Sequence, residues 1–216
     1  MSFITDKQTT DDLNLLGKFK AHSMFSLFNQ VQTGGGERLL EHMFRHPLSN
    51  AVAINERSTT FRYFQERTEV LPFSKVLFRE VENYLGLATA ASFPVTLLSL
   101  SRKKLMKTIV RDEQFDQLHS GLIATIELLN AGSDFIHGLQ HYPYPEVLAP
   151  ARQFFADPRL QWLPRVRHVK QLPLQRLARY HYLLLQVLRK EMEQLLELVY
   201  FFDVCIAVTN VARERS

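Results

Sequence analysis

The sequence predicts an all-α fold, a multi-helix core with a long C-terminal helix, and three observations carry that expectation. Glycine is scarce, with 8 in 216 residues, while Leu, Gln, Glu and Arg are common, a balance that favours helices over strands and turns. Phe115, Leu118, Leu122, Ile126 and Leu129 recur at steps of three and four, the spacing of one helix face. Leu174 to about Arg213 holds neither Pro nor Gly. There Leu177, His181, Leu184, Leu188, Met192, Leu195, Val199, Phe202, Ile206 and Thr209 repeat the same steps.

Residues 1–22 read as an arm, in which Thr9 or Thr10 can cap a short helix carrying Leu13 and Leu16. Met24, Phe25, Leu27 and Phe28 form an apolar cluster. Thr33 is an N-cap for a helix running to His46, where Pro47 stops it. Gly34, Gly35 and Gly36 in its first turn each cost about 1 kcal/mol against Ala in a helix interior. The expected compensation is another backbone packed closely on them. Leu39, Leu40, Met43 and Phe44 give that helix one apolar face. Ser49 caps a second helix through about Gln65, with Ile54, Phe61 and Phe64 turned inward. Residues 72–98 read as helices broken near Gly86 and Pro94. After the 115–129 helix, with further turns through Leu139, the prolines between Pro143 and Pro173 predict short helices and loops. An unbroken helix over 174–213 would extend roughly 60 Å, a length that suits a strut or an arm.

Apolar residues make up 46% of the chain, enough for a sizeable core in one large domain or two small ones. Cys205 stands alone, so no internal disulfide forms, which suits a reducing, cytoplasmic setting. The N-terminus shows no signal-peptide pattern, and no apolar run approaches the ~20 residues of a membrane span. The net charge of +4 is unevenly placed. Arg102, Lys103, Lys104, Lys107 and Arg111 fall in ten residues without an acid. Arg152, Arg159, Arg165, Arg167, Lys170, Arg176 and Arg179 span 28 residues that hold one acid, Asp157. Such clusters neutralise phosphates without reading sequence. Arg165, Arg167, Lys170 and Arg176, near Trp162, are the candidates for a blunt basic tip, with Arg102, Lys103, Lys104 and Lys107 as a second group.

No catalytic constellation emerges. A phosphate-binding loop needs Gly-x-x-x-x-Gly-Lys-Ser/Thr before a helix, and Gly34–Gly36 is followed by Glu37, whose charge repels phosphate. The pairs His42/His46 and His137/His141 have metal spacing, but neither encloses the Glu base of a zinc hydrolase. They read as surface or structural histidines. Phe64-Gln-Glu66 and Phe78-Arg-Glu80 lie where Phe belongs in a core.

One block carries a resemblance. Ser26-Leu-Phe-Asn-Gln-Val-Gln-Thr-Gly-Gly-Gly-Glu-Arg-Leu-Leu40 is followed by Pro47-Leu48 and Ile54-Asn-Glu-Arg57. It resembles the core-domain signature of the MutS family, the DNA mismatch-repair ATPases: Ser-Leu-hydrophobic, Thr-x-x-Gly-x-Arg-x-Leu, Pro-Leu, Ile-x-x-Arg. Asp6 to Leu15 resembles the opening of that domain. Phe202-Asp-Val-Cys-Ile-Ala-Val-Thr-Asn-Val-Ala212 resembles the end of its lever helix, Leu-Asp-Val-x-x-x-x-Ala. The match covers roughly half of the chain.

The resemblance implies a core/lever domain over 23–215: signature block 23–66, middle helices 72–172, lever helix 174–213. Leu27, Phe28, Thr33, Gly36, Arg38, Leu39, Pro47, Arg57 and Asp203 are the signature residues, with Arg38 and Arg57 as salt-bridge or helix-end partners. The chain is then no enzyme by itself and holds no cofactor, since ATP and Mg belong to an ATPase domain expected beyond Ser216. Implied partners are that ATPase domain, double-stranded DNA and a second copy in a homodimer. The family's β-rich clamp and its mismatch-reading domain have no counterpart here. The alternative is a helical scaffold that dimerises through the long helix without touching DNA; an unrecognised helical enzyme ranks last.

Overall fold

A computed structural model describes residues 15–17, 23–67, 69–87, 96, 98–104, 113–139 and 146–215. They are all-α, with no strand among the described residues. The α-helices are α1 (Met24–Phe28), α2 (Gly34–Arg45), α3 (Ala51–Gln65), α4 (Lys75–Gly86), α5 (Glu113–Gly138), α6 (Ala149–Phe155), α7 (Leu174–Tyr182) and α8 (Arg189–Glu214). Short 3-10 turns lie at Glu146–Leu148, Pro158–Leu160 and Leu163–Val166, in the proline-rich stretch. The first arm residues, with the expected cap at Thr9 or Thr10, lie outside the described residues, as do Lys107 and Arg111.

The chain divides into two compact units. The first takes the described residues of Met1–Leu71, His141–Ala149 and Leu196–Ser216. Thr33 caps α2 as expected: its Oγ1 accepts from Gly36 N at 2.9 Å. The cap of α3 is Asn50 rather than Ser49, because its Oδ1 accepts from both Val52 N and Ala53 N. Phe25, Leu40 and Val204 form a buried cluster ringed by Phe28, Leu39, Met43 and Phe44. Phe64 packs on Phe202 with ring centroids 5.9 Å apart. Met24 is exposed, and Ile54 faces outward instead of inward. The buried positions of α3 are Thr60, Tyr63 and Phe64, a face that excludes Ile54.

The second unit takes Pro72–Gln140 and Pro150–Leu195. Here α4 lies along α5, and α7 and the Leu163–Val166 turn pack on α5 as well. The α4–α5 approach requires Gly121, where an added Cβ would lie 2.7 Å from the Cβ of Tyr84. As expected, α5 continues beyond Leu129, passing through Gly132 to Gly138. Trp162 stacks on Tyr180 at 3.7 Å and 11°.

The expected forty-residue helix is divided. After α7, Leu183–Val187 form a π-turn, closed by a 2.8 Å bond from Leu188 N to Leu183 O. Leu188 leaves helical geometry at φ −105°, ψ 16°, and α8 begins at the next residue. Its 26 residues extend about 39 Å. The widened turn buries the neighbours Leu184 and Leu185 together with Leu188. Each full Leu burial contributes about 1.5–3 kcal/mol, which offsets one irregular turn.

Against expectation, α8 is long and apolar enough to cross a membrane, with mean hydropathy 1.8 over its best 18-residue window. No single unbroken run shows this, because Glu197 and Asp203 interrupt the sequence. However, 56% of that window is buried inside the protein, as in a core helix.

Candidate functional site

Three residues of the resemblance, Thr33, Gly36 and Asp203, meet at the N-terminus of α2. The first unpaired N–H groups of a helix, with the positive end of its dipole, attract an anion. Here the anion is the protein's own. Asp203, buried at 2% exposure, accepts from Gln32 N at 2.9 and 3.0 Å and from Thr33 N at 2.7 Å. The Thr33 hydroxyl donates to Asp203 Oδ2 at 2.6 Å while accepting from Gly36 N. Two segments 170 residues apart thus share one buried carboxylate, which accepts from three donors.

The glycines make room for this arrangement. An added Cβ at Gly36 would lie 2.6 Å from Asp203 Oδ2, and one at Gly35 would enter the ring of Tyr200. The close neighbours are therefore side chains of α8, not the expected backbone. The reason is that a ring and a carboxylate one turn apart on α8 fill the space that two missing Cβ atoms leave. Gly34 has no such neighbour; the nearest atom, Arg38 Nη1, would be 3.6 Å away.

The other signature residues are distributed over α1, α2 and α3. Leu27, Phe28 and Leu39 are half-buried, and Pro47 is exposed just past the end of α2. Arg38 is exposed, and neither it nor Arg57 has a carboxylate partner among the described residues, so the expected salt bridges are not made there. Arg57 is half-buried on α3 beside Cys205. Burial lowers the Arg57 guanidinium pKa, partly opposed by Cys205. Burial also pushes the Cys205 thiol far up, against the pull of Arg57, so this cysteine is an inert core residue.

The basic candidates separate by partner. Arg165, Arg167, Lys170, Arg176 and Arg179 are all exposed in the second unit. Arg167 is paired with Asp134 at 2.8 Å, and Arg159 holds Asp157 at 2.7 Å and Glu191 at 3.2 Å. Arg165, Lys170, Arg176 and Arg179 have no carboxylate partner among the described residues. Arg102 and Lys104 are exposed, and Lys103 is half-buried.

Lys103 lies close enough to His181, on α7, for its charge to act there. His181 is held down to about 4, chiefly by burial and then by Lys103. It is thus neutral, and its Nδ1 shares a 2.8 Å hydrogen bond with the Tyr84 hydroxyl. Burial pushes Tyr84 well up, which keeps that hydroxyl protonated. No periodicity in the sequence marks this pair.

The histidine spacings serve local structure. His42 and His46 stack at 4.2 Å, with His46 Nδ1 against His42 O at 3.1 Å. His137 Nδ1 contacts Ser133 O at 2.6 Å, and His141 lies outside the described residues. Phe64 and Phe78 are each 1% exposed, core residues as expected. Comparison of the chain with protein-family models, with curated proteins and with solved structures finds no match.

Proposed function

We propose that this chain is the core/lever element of a MutS-like DNA-repair protein, coupling DNA engagement to ATP turnover in a separate domain. The observation that carries the reading is the Asp203–Thr33 joint. The resemblance involves two stretches far apart in sequence, and a residue of each is a partner of the other at a buried site. Chance similarity gives no reason for such a meeting. Coupling of this kind needs a stiff element whose placement both sites can bias. The joint supports this reading by tying α2, in the signature block, to the middle of a 26-residue helix.

Duplex contact falls to Arg165, Lys170 and Arg176, with Arg102, Lys103 and Lys104 as auxiliaries; Arg167 is already occupied by Asp134. The alternative of a dimerising scaffold would need the stripe of the long helix as a seam. That stripe is buried within the chain itself at Leu184, Leu188, Met192, Leu195 and Val199, which favours the core/lever reading.

The test is fluorescence anisotropy of a labelled duplex, matched or mismatched, across a salt titration. Three phosphate contacts give a slope of log K against log salt of about −3. The Arg165→Ala/Lys170→Ala/Arg176→Ala variant should remove most of that slope. The chain alone should turn over no ATP. Absence of binding at low salt, a slope untouched by the triple change, or ATP turnover sensitive to residues 34–38 would each overturn the proposal.

A further inference from the structure

In the second unit an open groove of about 390 Å³ lies between one face of α5 and residues 166–170. That volume is within the ~300–1,000 Å³ range of small-ligand sites. Its apolar lining includes Ile126, Ala131 and Val166. It also includes Asn130, which is 3% exposed. The amide nitrogen of Asn130 donates to Ile126 O at 2.8 Å and Leu163 O at 3.4 Å. Two carbonyl acceptors fix the amide orientation, so what Asn130 offers a ligand is Oδ1. Among the described residues no donor reaches Asn130 Oδ1, so that oxygen keeps its acceptor capacity. A buried acceptor in a largely apolar groove selects a ligand with an N–H donor.

The rim adds charge. Arg167 is neutralised by Asp134, while Lys170 and His168 line the groove and have no carboxylate partner among the described residues. Lys170 offers a point charge for an anion. Glu127, exposed on α5, lines the groove as well; it repels a second anion and accepts a second N–H.

We infer that this groove binds a nucleotide unit, its base over the apolar lining with an N–H donated to Asn130 Oδ1 and its phosphate against Lys170. A nucleotide joins the three properties the groove selects: a flat apolar ring, ring-edge N–H donors and an adjacent anion. The nucleotide is either free or an unstacked residue of a strand, and the chemistry of recognition is the same. This inference shares Lys170 with the core/lever proposal, which needs only backbone phosphate contacts, and differs from it at the apolar groove, where Ala131→Phe separates the two.

Isothermal titration of the full chain tests it. The ligands are the four deoxynucleoside monophosphates, the matching nucleosides, deoxyribose 5-phosphate, a short single strand and a blunt duplex. Mononucleotides or the single strand should bind at least about tenfold more tightly than nucleoside or sugar phosphate. Ala131→Phe, which fills the groove from a half-buried position, should weaken them at least about tenfold. Lys170→Glu should weaken nucleotide and leave nucleoside unchanged, with circular dichroism confirming both variants folded. Strand binding without mononucleotide binding, lost in Ala131→Phe, assigns the source as a strand. The inference is overturned if neither mononucleotide nor strand binds, if Ala131→Phe binds both unchanged, or if sugar phosphate binds as well as nucleotide. Duplex binding indifferent to Ala131→Phe would leave the core/lever proposal standing and this one refuted.

Discussion

Asp203, in the middle of α8, holds Thr33, the N-cap of α2, by two bonds: backbone N–H at 2.7 Å and hydroxyl at 2.6 Å. Removing the carboxylate leaves the N–H groups of Gln32 and Thr33 and the Thr33 hydroxyl without that acceptor. Asp203→Ala should therefore destabilise the protein by about 3–5 kcal/mol, measured by urea denaturation. A loss under about 1 kcal/mol would show that water or a neighbour replaces the carboxylate.

The three glycines should respond differently to the same substitution. Ala gains about 1 kcal/mol over Gly in a helix interior. At Gly34 nothing opposes that gain, so Gly34→Ala should be neutral or stabilising by up to ~1 kcal/mol. At Gly35 the added carbon enters the Tyr200 ring, and at Gly36 it meets Asp203 Oδ2. Both changes should cost more than ~2 kcal/mol net. Thermal melts of the three single variants check the order.

Acid should weaken the second unit through His181. Its folded-state pKa of about 4 lies below the ordinary 6.5. Between those values the unfolded chain takes up a proton that the folded chain does not, so stability falls as pH drops from 6.5 to 4 and the contribution levels off below 4. Discounted for the ring's partial exposure, the loss is about 2–3 kcal/mol. His181→Gln retains a hydrogen-bonding partner for Tyr84 and should flatten that part of the pH profile. An unchanged profile would place the proton elsewhere.

The π-turn should tolerate shortening. It holds one residue more than α geometry needs, so deleting the exposed Val187 leaves the register of both flanks intact. The cost should stay below about 2 kcal/mol. Deleting Gln194 within α8 rotates one flank by a full residue and should cost more than ~4 kcal/mol or prevent folding. Denaturation midpoints of the two deletions decide it.

Helix existence was legible where cap and stop were both chemical. Thr33 and Pro47 bracket α2 because one accepts N–H bonds and the other cannot continue the ladder. The cap of α3 was not, since Ser49 and Asn50 are equally good capping residues and only backbone geometry selects Asn50. The turn at Leu183–Val187 was invisible because apolar steps of three and four count residues, not degrees of rotation. At the joint, Thr33, Gly36 and Asp203 stood out singly. Their contact did not, because it spans 170 residues and no local pattern encodes it. Tyr200, Tyr84 and Asn130 left no signal, each acting through a neighbour supplied by another helix or turn.

The most direct test of the central claim is a double-mutant cycle between Thr33 and Asp203, using Thr33→Val, which removes the hydroxyl at near-constant shape, and Asp203→Ala. A charge-assisted hydrogen bond at this buried site should give a coupling of about 1.5–3 kcal/mol. Additivity within about 0.5 kcal/mol would mean that the signature helix and the long helix are not joined at this carboxylate, and the core/lever account would lose its foundation.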